Sequence, residues 1–111
     1  MDKNKIESCF ELIKTNKSVF FNFLKAKYPF FHNSNFFFRD FQFGIKNFLE
    51  KKGTKISYPE AEALANIVGK YLENEKIFFK INSNTWRVNY PEFVTKVPGD
   101  PFDLKTVETQ S

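Results

Sequence analysis

The stretch Ser57–Tyr90, with the sequence SYPEAEALANIVGKYLENEKIFFKINSNTWRVNY, decides the fold class of this chain. Ser57 and Glu60 have the spacing of a capping box, in which each side chain bonds the backbone N–H of the other residue. Pro59 is tolerated because it falls in the first helical turn. Apolar residues then recur at helical spacing, at Ala61, Leu64, Ala65, Val68 and Leu72, with Ile67 and Tyr71 widening the stripe. The pattern predicts an amphipathic helix that ends at Asn74-Glu75.

The second half of this stretch has the alternation of a β-hairpin. Residues 76–82 are predicted to form a strand with Phe78 on one face and Ile77, Phe79 and Ile81 on the other. Ser83-Asn84 suits a two-residue turn. The return strand, residues 85–90, places on one face Trp86, Val88 and Tyr90. Pro91 has no backbone N–H to donate, so we expect the pairing to end there.

Two helical regions are predicted upstream of this stretch. Apolar spacing predicts a helix from Lys3 to Lys27, interrupted at residues 15–18, where Ser18 is the expected cap of a second helix. Tyr28-Pro29 ends it, because a residue before proline is pushed out of the α region. A shorter helix is predicted from a cap at Asp40 to about Lys51, with Gly53 in the left-handed C-terminal position. Between these helices, Phe36–Phe38 suit either a short strand or an aromatic plug beneath the core.

Length and composition predict one globular domain. The chain has 111 residues, of which 41% are hydrophobic, 27% are charged and 16 are Phe. Bias toward AT-rich codons explains the Phe excess, so most of these rings are expected in the core. The single cysteine, Cys9, excludes an internal disulfide. Without an apolar run of membrane-spanning length or a signal-peptide block, we expect a soluble intracellular protein, cytoplasmic or nuclear.

The residues needed for catalysis or metal binding are missing from the sequence. Nucleophilic catalysis needs a nucleophile beside an oriented base, whereas this chain offers one thiol, Cys9, and one imidazole, His32, with nothing to bring them together. Cys9 falls on an apolar helical stripe, and His32 falls in a turn. A structural zinc site wants four Cys or His ligands, and the four glycines are too scattered for a phosphate loop. We expect no enzyme activity, no cofactor, no metal and no small-molecule substrate.

The predicted elements resemble a winged helix, and within that class they are similar to DEP domains. Three passages carry the resemblance: Phe48-Leu49 at the end of a short helix, the Ser-led helix from Ser57 to Tyr71-Leu72, and the Tyr-x-x-Phe of Tyr90–Phe93. The resemblance implies an α+β winged-helix core over residues 30–94, preceded by an N-terminal helical segment, 1–29, and followed by a flexible tail, 95–111. Within that tail, Phe102 and Leu104 are apolar residues able to pin part of it to the domain.

The resemblance implies a non-catalytic interaction module, with an adaptor-like role in a larger intracellular assembly. The charge of the long helix supports a protein partner, because its outward residues offer Lys70 against four carboxylates: Glu60, Glu62, Glu73 and Glu75. DNA phosphates would repel that face. From their clustering, we expect an exposed aromatic docking site formed by Phe30, Phe31, Phe36 and Phe37.

Nucleic-acid binding through the basic N-terminal half and the wing is the alternative, and an anionic membrane surface is a further candidate partner. The first 55 residues carry 11 basic and 5 acidic side chains, and the remainder carry 6 and 8. The candidate basic patch comprises Lys25, Lys27, Arg39, Lys46, Lys51, Lys52 and Lys55, with Lys80 and Arg87 on the hairpin. A contiguous patch would favour nucleic acid or membrane, whereas scattered lysines with exposed Phe rings would favour a protein.

Overall fold

A computed structural model describes residues 3–93 and confirms the α+β class, with four helices and one three-stranded antiparallel sheet in that part of the chain. The elements follow in the order α1 (Lys3–Thr15), α2 (Lys17–Lys27), β1 (Asn35–Phe37), α3 (Phe38–Lys51), α4 (Tyr58–Asn74), β2 (Phe78–Asn82) and β3 (Thr85–Val88). The predicted tail, with Phe102 and Leu104, lies outside the described residues.

Helix α4 begins and packs as its sequence pattern predicts. The Glu60 backbone N–H donates to Ser57 Oγ at 3.2 Å, and the Ser57 N–H donates to Glu60 Oε1 at 2.8 Å, which completes the capping box. All five residues of the predicted apolar stripe are buried: Ala61, Leu64, Ala65, Val68 and Leu72. The helix therefore turns one apolar face toward α1, α3 and the sheet.

Asn16, and not Ser18, divides the N-terminal helical region. The Asn16 side-chain amide donates to the Leu12 carbonyl at 2.8 Å, and its own carbonyl accepts from the Phe20 N–H at 2.9 Å. These bonds end α1 and begin α2 within one residue, so the prediction of a cap at Ser18 was wrong. Asn side chains compete with the helix for backbone hydrogen bonds, which favours a break at Asn16.

Helix α3 begins at Phe38, two residues before the cap predicted at Asp40. Phe37 occupies the N-cap position with extended backbone and makes no side-chain capping bond. Strand β1 runs directly into the helix, so pairing with β3 holds the helix start in place of a polar cap. Asp40 lies in the first turn, where its negative charge suits the helix dipole. Gly53 has a φ of 93°, as its predicted left-handed position requires.

Strand β3 is the centre of the sheet, whose order is β1-β3-β2. Phe36 of β1 pairs with Trp86, and Phe78 of β2 pairs with Val88, so these four buried residues share the inner face. This pairing decides the open choice in favour of a strand for Phe36 and Phe37, whereas Phe38 begins α3. A bulge at residues 80–82 interrupts the register of β2 next to the turn.

Trp86 joins the sheet to helices α3 and α4. Its indole stacks on Phe78 with ring centroids 4.8 Å apart and meets the Phe41 ring edge-on at 5.3 Å. The indole N–H donates to Glu73 Oε2 on α4 at 2.8 Å. A Cβ atom built on Gly69 would lie 2.6 Å from the indole ring, so only glycine lets α4 approach this closely.

Gly69→Ala is expected to destabilise the fold by about 1–3 kcal/mol, because the rigid indole is enclosed and cannot yield to the added methyl. In an unobstructed helix interior the same change would stabilise by about 0.5–1 kcal/mol. Urea unfolding of the variant measures the effect. Asn66→Ala, at an exposed position of the same helix, is the control and should not destabilise. Equal or greater stability of Gly69→Ala would contradict the packing described.

Stability is also expected to depend on the ionisation of Glu60. The Ser57 N–H bond, with the Lys5 ammonium 3.3 Å from the same oxygen, lowers the pKa of Glu60 below its ordinary value of 4.5. Because the folded-state pKa is the lower one, the carboxylate stabilises the fold above pH 4.5. This contribution is lost as the pH falls through the folded-state pKa. In the Glu60→Gln variant, the unfolding free energy should therefore decrease less steeply as the pH is lowered below 4.5. An unchanged slope of unfolding free energy against pH would refute the role of Glu60.

Candidate interaction surfaces

The outer face of the sheet exposes large hydrophobic side chains to solvent. Paired residues and residues two apart on a strand share a face. The pairs Phe37–Thr85 and Phe79–Arg87 therefore lie together on the face opposite Trp86. Phe37 is 53% exposed and Phe79 40% exposed, and Ile81, which lies in the bulge of β2 beyond Phe79, is 51% exposed. We call these five residues the outer sheet face.

The charge of the outer sheet face is a single guanidinium. Arg87 lies over the Phe79 ring at 5.9 Å from its centroid, an arrangement that holds the long side chain against the aromatic surface. Lys80 pairs with Trp86 and therefore belongs to the opposite face of the hairpin, where it lies near Glu73. The three strands contain no Asp or Glu. The surface is thus apolar and aromatic with one cation.

The predicted aromatic docking cluster is only partly available. Phe37 is exposed and Phe31 is half-buried, whereas Phe30 and Phe36 are each 1% exposed. The Phe30 ring packs against Phe21 and Phe36 at 5.5 and 4.9 Å between centroids, because the turn after α2 folds back over the core. Phe30 and Phe36 are therefore core residues, and their assignment to a docking site was wrong.

Phe79 and Ile81 are the interface candidates that the sequence reasoning missed. The alternation of β2 correctly set Phe79 on the face opposite Phe78, but alternation alone does not show which face meets the core. The answer depends on the pairing of Phe78 with Val88 beside Trp86, a tertiary arrangement. An unusually apolar hairpin, with large residues on both faces, was the signal that one face would remain exposed.

The predicted basic patch is divided among several places on the surface. Lys25 is buried, with its ammonium over the Phe93 ring at 5.6 Å, so it is not a phosphate contact. Lys27 and Lys52 lie over the adjoining rings of Phe23 and Phe48, whose centroids are 5.6 Å apart. These two lysines are brought to one aromatic seam between α2 and α3.

Two of the other predicted cations lie close to carboxylates. Lys46 pairs with Glu50 at 3.2 Å and lies over the Tyr58 ring, and Arg39 shares a shallow cleft with Glu62. Lys80 and Arg87 lie on opposite faces of the hairpin, and Lys51 and Lys55 are exposed at and after the end of α3. The candidate patch is therefore interrupted by the buried Lys25 and by the Lys46–Glu50 pair, while Lys27 and Lys52 come together.

Three of the four carboxylates predicted on the outward surface of α4 have partners. Glu60 binds the Lys5 ammonium, Glu73 accepts from the Trp86 indole, and Glu75 lies 3.8 Å from the Lys17 ammonium. Two of these partners are lysines, so part of the negative charge on α4 is balanced by α1 and α2. Through these pairs the acidic residues of α4 bind α1, α2 and the sheet.

Neither residue considered for catalysis lies in a reactive setting. Cys9 is buried, and burial raises the pKa of its thiol, which keeps it protonated. His32 lies in the turn, as expected, and its Nδ1 accepts from the Tyr90 backbone N–H at 3.0 Å. Within residues 3–93, no three His, Cys, Asp or Glu side chains are grouped as metal ligands would be. None of the described helices combines the length and apolar composition needed to cross a bilayer.

Comparison of the chain with models of protein families, with curated proteins and with solved structures found no match.

The two neighbouring rings of β1 offer a direct check of this surface. Phe36→Ala should lower the unfolding free energy by about 3–5 kcal/mol, because it empties a fully enclosed site. Phe37→Ala should change it by no more than about 0.5 kcal/mol, since the ring is half in water. Chemical denaturation of both variants makes the comparison. Equal losses would mean that Phe37 is part of the core and would remove it from the outer sheet face.

Proposed function

We propose that this chain is a winged-helix interaction module of the DEP-like kind. The order helix, strand, two helices and hairpin, from α2 to β3, is the order expected of a winged helix, and the sheet order β1-β3-β2 agrees with it. Helix α1 is then the N-terminal extension, and the hairpin of β2 and β3 is the wing. The proposed role is non-catalytic and adaptor-like, docking a protein partner within a larger assembly.

The observation that carries this proposal is the exposure of Phe37, Phe79 and Ile81 on one small sheet. They are half of the six large hydrophobic side chains most exposed in residues 3–93. Burying such side chains against a partner contributes roughly 25 cal/mol of binding free energy per Å² of apolar surface. This contribution is not gained while the side chains remain in water. A solvent-facing wing needs none of them for its own fold, since Phe78, Trp86 and Val88 fill the inner side.

The chemistry of this surface favours a protein over a nucleic acid. The centres of protein interfaces are rich in aromatic residues and Arg and poor in Lys, Asp and Glu. The outer sheet face resembles them, with two Phe, one Ile, one Thr and Arg87 as its cation. Nucleic-acid binding draws most of its strength from neutralising several phosphates, and this face supplies one cation.

Nucleic-acid binding remains the second candidate, and one observation favours it. Phe37 on β1 and Phe79 on β2 are exposed rings on either side of the central strand, which carries Arg87. The three strands contain no carboxylate, and single-stranded bases stack on exposed rings of this kind. Binding of this kind would weaken steeply with added salt, whereas docking of an apolar protein surface would not.

Site-specific photo-crosslinking in the native cell tests both candidates at once. A benzophenone side chain replaces Phe37, and in a matched chain it replaces Val19, which is equally exposed, at 50%, but lies on α2. We expect a discrete, protease-sensitive adduct from position 37 only. The second substitution Ile81→Ser in the position-37 chain should reduce its yield, because it removes apolar contact area from the same surface.

Other outcomes separate the remaining possibilities. A position-37 adduct that nuclease destroys, and that high salt prevents, would replace the protein partner with a nucleic acid. Equal adducts from positions 37 and 19 would mean non-specific contact and would overturn the docking role of the outer sheet face. Circular dichroism of each chain, unchanged from that of the unmodified protein, confirms that the labels leave the fold intact.

A further inference from the structure

A second candidate surface is an open groove between α1 and α4, away from the sheet. Its volume is about 590 Å³, and it is lined by Phe10, Lys14, Asn66, Ile67, Lys70, Tyr71 and Asn74. The rings of Phe10 and Tyr71 meet edge to face with centroids 5.6 Å apart. Beside them, Ile67 is 38% exposed, so the groove has an apolar floor that the fold leaves uncovered.

The walls of this α1–α4 groove are positively charged. The Lys14 ammonium lies 5.1 Å from the centroid of the Phe10 ring and 5.8 Å from that of Tyr71. Lys17 lies at the Tyr71 hydroxyl, 3.4 Å away, and Lys70 is exposed on the α4 side. Among residues 3–93, none of those that line the groove is a carboxylate. Glu11 and Glu75 pair with Lys14 and Lys17 outside it, and such exposed pairs are weak enough to exchange for a ligand.

An aromatic or aliphatic side chain flanked by carboxylates is the ligand that this groove fits. The chain itself contains such a segment, Asp100–Leu104, with the sequence DPFDL. Phe102 and Leu104 match the apolar floor, and Asp100 and Asp103 match the lysine walls. We infer that the α1–α4 groove binds the segment Asp100–Leu104 of the same chain, with Phe102 as the anchor.

The groove lies within reach of that segment. The Tyr90 ring packs on Phe93 at 4.8 Å and on Phe21 of α2 at 5.0 Å between centroids. The last described residue, Phe93, therefore lies beside α2, the helix whose first residue, Lys17, reaches the groove. Nine residue steps separate Phe93 from Phe102, enough to span about 30 Å when extended.

Paramagnetic relaxation in the full chain tests the inference. A nitroxide is attached through Thr106→Cys, and the native thiol is left in place because Cys9 is buried. We expect loss of signal intensity at Ile67 and Tyr71, restored when the label is reduced. The exposed Ile81, on the hairpin, serves as the internal reference and should lose less intensity.

Two variants show whether the loss depends on the proposed contacts. Phe102→Ala removes the anchor, and the pair Lys14→Glu and Lys70→Glu reverses the groove charge; each should restore the Ile67 and Tyr71 signals. The matched control, Lys51→Glu with Lys55→Glu, makes the same change in net charge at the end of α3 and should leave the loss in place. A loss that survives Phe102→Ala, or one no greater at Ile67 than at Ile81, would overturn the inference.

A mixed sample distinguishes the same chain from a second copy. Isotope-labelled chain without nitroxide is combined with unlabelled chain that carries it. Undiminished Ile67 and Tyr71 signals in the mixture would support binding within one chain. Loss of those signals in the mixture would instead assign the occupant to a neighbouring copy and contradict the same-chain inference.

Discussion

The close approach of Trp86 to Gly69 is the contact on which the rest of the architecture depends. It brings α4 against the central strand and places the indole between Phe41 of α3 and Phe78 of β2. The bond from the indole N–H to Glu73 then fixes the rotation of the ring. Because the inner face of a small sheet is filled by this one large residue and its neighbours, the remaining apolar residues of the hairpin are left on the other side.

Local sequence rules predicted the parts of the fold that are held locally. The capping box and the stripe of α4 depend on residues three or four apart, and both were predicted correctly. The start of α3 was missed because a strand contact holds it, between Phe37 and Thr85, nearly 50 residues along the chain. The cap of α2 was predicted at Ser18 from its residue type alone, whereas the backbone geometry places the N-cap at Asn16.

The candidate surface was harder to predict because clustering in sequence is not clustering on a surface. Phe30 and Phe36 lie near Phe37 in the chain, yet the turn and the strand direct them inward. Likewise, Lys25 was predicted to belong to a basic surface patch, but in the structure it is buried against Phe93. Exposure of Phe79 depends on which face of β2 packs on α4, and that is a property of the whole fold. The sequence could thus predict that aromatic rings and lysines lie on the surface, but not which ones.

The absence of any loop between β1 and α3 has a mechanical consequence. Phe37 is the last residue of the strand and the residue before the first helical turn, while its neighbour Phe36 is locked in the core. The backbone of Phe37 is therefore held on both sides by regular secondary structure, and the position of its exposed ring is fixed. A partner that meets such a surface loses little conformational entropy in ordering it, so recognition would proceed as the docking of two preformed bodies.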